Sequence, residues 1–126
     1  MSVGLERWAR GAYDLEAAVM MLTRCSLWPR LYNELLARNA IGYDDFGNAW
    51  IDRDEILPVA QDNGMSGGER RVLWLVVSLL SLGGAPGVGD LVPGIGDADT
   101  SLFLHATAHL AGWHQRDRSL TVTGAA

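Results

Sequence analysis

Val72 to Leu82 constrains the fold more than any other stretch, because only Ser78 and Ser81 interrupt its eleven residues with polar side chains. A helix that is apolar nearly all the way round is stable in water only when protein encloses it. Eleven residues are too few for a bilayer span, which takes about 20. Just ahead stands Ser66-Gly67-Gly68-Glu69. A serine followed three residues later by glutamate is a capping box, in which each side chain satisfies a backbone N–H of the other. The pattern predicts a central helix from Ser66 to about Leu82, with the rest of the chain wrapped around it.

The wrapping elements are legible to different degrees. Leu5, Trp8, Ala12, Leu15, Val19 and Leu22 step by threes and fours, which predicts one helix from about Val3 to Arg24 with a single apolar face. Pro29 suits the first turn of a second helix reaching about Ala40, with Leu31, Leu35 and Leu36 inward. Gly42 to Ile51 reads as a small hairpin or ordered loop, Gly and Asn lying between Tyr43 and Trp50-Ile51. Asp52 and Glu55 form a second capping pattern, and Pro58 limits the helix they open to a short or broken one. Gly83 to Gly96 holds six of the fifteen glycines and two prolines and is read as a long loop. A last helix is predicted from about Thr100 to Trp113. The expectation is a mainly α, single-domain four-helix arrangement over residues 1–114, a small hairpin near 42–51, and a frayed polar tail over 115–126.

Composition removes several chemistries. All ten basic residues are arginine, so a Schiff-base lysine, a P-loop lysine and a Ser–Lys dyad are all excluded. Cys25 is the only cysteine, which excludes an intramolecular disulfide and a multi-cysteine zinc site and suits a reducing compartment. Charges at Glu6, Arg7, Arg10 and Asp14 break up the apolar core that a signal peptide needs, so the expected location is cytoplasmic and away from membranes. A net charge of −5 disfavours nucleic acid, despite the pairs Arg7/Arg10, Arg24/Arg30 and Arg70/Arg71.

Few residues are placed for site chemistry. His105 and His109 are one turn apart on the last helix, the spacing of a helical metal pair, and Asp99 at the helix entrance is the candidate third ligand. Ala106 stands where the zincin motif carries its general base, and His114 follows just past the helix end. Asp44 to Glu55 can be laid on a calcium loop, yet Phe46 and Ala49 occupy an oxygen-ligand position and the obligatory glycine. Gly87-x-Gly89 and Gly94-x-Gly96 are each followed by an aspartate that opposes phosphate, so they read as turns. Cys25 reads as a buried structural thiol.

Met65-Ser66-Gly67-Gly68-Glu69-Arg70-Arg71 resembles the signature segment of ABC-type ATPases, but without a lysine no Walker A segment exists and capping explains the residues. The order of an Asp-Leu-Glu-Ala-Ala helix, a Trp-Ile-Asp turn, Ser-Gly-Gly-Glu-Arg-Arg-Val-Leu and a closing Ala-His-x-Ala-Gly segment resembles small actinobacterial or prophage-type proteins. That likeness implies an origin and no mechanism.

Five tryptophans and ten arginines are high for this length, and both residue types are enriched in interface hot spots. The reading favoured is a non-catalytic interaction or assembly module without a cofactor, binding a protein partner or a second copy of itself. Its candidate contacts are Trp8, Trp28, Trp50, Trp113, Arg70 and Arg71. The rivals are a metal-binding protein or metal-dependent hydrolase built on His105, His109 and Asp99, and an acidic inhibitor or immunity-type protein.

Overall fold

The computed structural model describes residues 2–62 and 64–116. In chain order the elements are α1 (Ser2–Ala9), α2 (Tyr13–Arg24), α3 (Trp28–Ala37), β1 (Ile41–Tyr43), β2 (Ala49–Ile51), α4 (Arg53–Gln61), α5 (Gly67–Leu79), α6 (Val88–Leu91) and α7 (Asp97–Leu110). Short 3-10 turns cover Val92–Gly94 and Trp113–Gln115. The protein is mainly α with one antiparallel hairpin, in which Ile41 faces Ile51, Gly42 faces Trp50 and Tyr43 faces Ala49. No helix among the described residues is long and apolar enough to cross a membrane.

α5 is the enclosed helix that its composition demands. Val72, Leu73, Leu75, Val76 and Val77 are all buried, and α2, α4, α6 and α7 pack around them. The serine half of its capping box forms, and the glutamate side chain bonds the serine hydroxyl instead of the Ser66 N–H. The Ser66 hydroxyl oxygen accepts from the Glu69 N–H at 3.2 Å and donates to Glu69 Oε1 at 2.8 Å. The second capping pattern forms by half. Asp52 accepts from the N–H groups of Asp54 and Glu55, while its own N–H goes to the Ala40 carbonyl and ties α4 to the hairpin.

Helix ends shift by up to three residues from the sequence reading, and two segments differ in kind. The predicted helix from Val3 to Arg24 is two helices, because Gly11 takes φ +92° and Ala12 is extended. The apolar stripe survives the break: Leu5, Val19 and Leu22 are buried and Trp8 and Leu15 pack against the same core. The bend frees α1 to meet the hairpin as well as α2. That contact is close enough for a Cβ on Gly4 to lie 2.8 Å from the Gly47 carbonyl oxygen, so only glycine fits.

The second difference lies at 83–96. Two glycines with positive φ, Gly83 and Gly84, begin the segment as a loop, but it then forms α6 and a 3-10 turn and buries Leu91. Arg71 lies across Gly94, where a Cβ would collide with its guanidinium group. The tail expected to fray falls almost wholly at 117–126, outside the described residues.

Candidate functional site

The structure separates the three residues read as metal ligands. Asp99 is buried in the first turn of α7, where its two oxygens accept from the Ser26 N–H at 3.0 Å and from the Ser26 hydroxyl at 2.8 Å. It bolts α7 to the turn between α2 and α3. His105 is exposed, with Nδ1 2.8 Å from the Ser101 carbonyl of its own helix. His109 points elsewhere, into α2.

There the fold assembles a different group. Among the described residues Glu16, His109 and His114 each offer a ligand atom, and these atoms lie within 4.8 Å of one another. Glu16 is in the first turns of α2, where its Oε2 accepts from the Gly11 N–H at 3.3 Å. Its other oxygen, Oε1, is 3.0 Å from His109 Nε2, a half-buried hydrogen bond spanning 93 positions of sequence. His109 holds the Glu16 carboxyl below the usual carboxylate range, chiefly through that hydrogen bond.

His114 arrives by a turn. Gly112 takes φ +79° directly after α7, and its N–H bonds back to the His109 carbonyl at 2.9 Å, a left-handed helix ending that suits glycine. The reversed chain lays the His114 ring flat on His109, with centroids 3.7 Å apart and planes within 2°. Tyr13 meets both imidazoles edge-on, at 6.1 Å from His109 and 4.7 Å from His114. The same tyrosine would lie 3.2 Å from a Cβ at position 112, a second reason for glycine there. Two clefts, of about 240 and 280 Å³, open on either side, and His109, Met20 and Arg24 border both.

Nothing in the sequence pairs Glu16 with His109. His114 carried a weak signal, as a third histidine five positions beyond the second and just past the helix end.

The candidate interaction residues also divide. Trp50 is exposed, whereas Trp8, Trp28 and Trp113 are half-buried; Trp28 packs edge-on against Tyr32 at 5.2 Å and Trp113 lines a cleft. Arg70 and Arg71 are half-buried too, Arg71 against Gly94. The exposed aromatic surface lies instead on the hairpin, where Tyr43 is 70%, Phe46 85% and Trp50 37% accessible. Residues 43 and 46 belong to the predicted hairpin but were not among the predicted contacts.

This tip is held in shape by Asp44. Its carboxylate accepts from the Phe46 N–H at 2.9 Å, the Asn48 N–H at 3.0 Å and the Asn48 side-chain amide at 2.8 Å. Arg7 on α1 donates to the Gly47 carbonyl at 2.8 Å. The turn is therefore an ordered Asx turn and its carboxylate is committed to local N–H groups rather than to calcium.

Comparison with family models, with curated proteins and with solved structures finds no match to this chain. Its chemistry rests on its own geometry.

The Asp44 bonds imply a pH response. Hydrogen bonds from Asn48 and from the Phe46 N–H hold the Asp44 carboxyl below its ordinary value. Its ordering contribution is therefore complete above the ordinary aspartate range and is lost as pH falls through the lower folded value. On acidification the amide resonances of Phe46 and Asn48 should move, with a midpoint below that of a free aspartate. A midpoint at or above the free-aspartate value contradicts the assignment.

Proposed function

We propose that this protein is a non-catalytic binding module that works in the cytoplasm and inserts its hairpin tip into another protein. The observation behind this reading is that Tyr43, Phe46 and Trp50 stand exposed on a hairpin whose turn is held by Asp44 and Arg7. Ordering a loop costs free energy on binding, and a turn fixed in advance reduces that cost. Aromatic side chains then supply large contact areas with few rotatable bonds.

Charge narrows the partner. Between positions 44 and 55 the chain carries five carboxylates and one arginine. A second copy would bring the same negative field to the contact, which disfavours self-association through this tip. The partner we infer presents an apolar groove bordered by Arg or Lys, so the interface combines apolar burial with electrostatic attraction. The acidic-inhibitor reading is one version of this arrangement.

A photoactivatable phenylalanine analogue placed at position 46 tests the proposal, with the same analogue at exposed Leu104 as control. The expected product is a covalent adduct at 46 alone, mapped by mass spectrometry to an apolar groove flanked by basic residues, and lost in Tyr43→Ala. Phe46→Ala itself should change stability by no more than about 0.5 kcal/mol, since the ring is on the surface. Equal labelling at both positions, no adduct, or an adduct to another copy of the chain overturns the reading.

A further inference from the structure

We propose that Glu16, His109 and His114 form a binding site for one divalent transition-metal ion, with zinc as the ion that the donor set suits best. This inference stands apart from the hairpin reading and shares no residue with it.

The donors are two imidazoles and one carboxylate, a combination used by catalytic zinc sites with three protein ligands and an open position. In such a site, bond lengths of about 2.0–2.1 Å put neighbouring donor atoms about 3.4 Å apart. Here Oε1 of Glu16 and Nε2 of His109 are 3.0 Å apart, and the complete set lies within 4.8 Å. Closing the set needs His114 to move inward by roughly 1 Å, given the donor separations expected at tetrahedral zinc, and to tilt out of its stack on His109, because each ring nitrogen binds an ion in its own ring plane. His114 is exposed on a three-residue 3-10 turn and is the member freest to do so.

An ordinary hydrogen bond accounts for Glu16 against His109. It does not account for His114, which brings a second ring parallel to the first at 3.7 Å.

The surroundings support a built site in two further ways. Glu16 is aimed by the Gly11 N–H on its other oxygen, and the two rings are braced by Tyr13. Fixed outer contacts of this kind orient metal ligands and strengthen binding. His109 borders both clefts, which leaves room beside a bound ion for a further ligand. Arg10 and Arg24 line the first cleft and oppose a bare cation, while Glu6 on the same wall offsets one of them. The pair favours an ion that also carries an anionic exogenous ligand in that position.

The test uses the full chain stripped with EDTA, titrated with zinc against a chromophoric chelator and separately with cobalt(II). One equivalent should bind, and the cobalt form should show the visible absorption of a four-coordinate nitrogen and oxygen site. Glu16→Gln, His109→Ala and His114→Ala should each weaken zinc by more than about tenfold, at least what losing an outer contact costs. His105→Ala borders the same cleft and should bind zinc as the parent does. His114 is exposed and Glu16→Gln is nearly isosteric, so these two variants keep the proposal testable even should His109→Ala fail to fold. No stoichiometric binding, binding that survives His114→Ala or Glu16→Gln, or binding lost in His105→Ala each overturns it.

Discussion

Leu75→Ala should destabilise the protein by about 3–5 kcal/mol, the upper part of the range for a fully buried leucine. Leu75 is wholly inaccessible in α5, enclosed by the helices that pack on every side of it. Removing its side chain forfeits transfer free energy and leaves a cavity that neighbours on several elements cannot all collapse to fill. Urea denaturation should show a lower midpoint with an unchanged slope, because the native state stays equally compact. Leu104→Ala, made on the exposed face of α7, should stay within about 0.5 kcal/mol of the parent. Comparable losses in the two variants would falsify the placement of α5 at the centre.

The second large effect is expected at Asp99. Its carboxylate is only 4% accessible and accepts two hydrogen bonds from Ser26, one of them from a backbone N–H with no other partner among the described residues. Asp99→Ala removes both bonds and leaves that donor unsatisfied, at a cost of about 2–3 kcal/mol. It also removes a negative charge from the first turn of α7, where the helix dipole favours one. Asp99→Asn keeps an acceptor and should lose less. The variant also separates two roles for this residue, since a structural Asp99 predicts lower stability with undiminished zinc binding. Loss of zinc binding in a folded Asp99→Ala protein would instead make it a ligand.

The sites were legible in the sequence only in fragments. His109 stood out because it repeats His105 after one helical turn, and that local spacing drew His105 and Asp99 into the same reading. Helical geometry places His105 and His109 one turn apart but does not say which side of α7 meets another helix. α2 meets it on the His109 side, so Glu16 became the partner. Asp99 was taken by Ser26, 73 positions away, a demand that no local pattern records. The tryptophans are divided by tertiary packing too. Their number suggested interface anchors, yet a core of this size uses most of them as boundary filler, and the freest aromatics are Tyr43 and Phe46 on a turn.

What the chain determined by itself is what short-range physics controls. The apolar run of α5, the Ser66 cap on its first turn, the hairpin and the Asp52 cap of the short α4 each follow from side chains within a few positions of one another. So does the mainly helical class, since periodic apolar spacing selects helices before any of them meet. Tertiary structure decided the break at Gly11, the folding of 83–96 onto the core, and the meeting of Glu16 with His109 and His114. These depend on where separate helices come to rest against each other, and that is fixed by the joint packing of many side chains, for which no single stretch of sequence carries the answer.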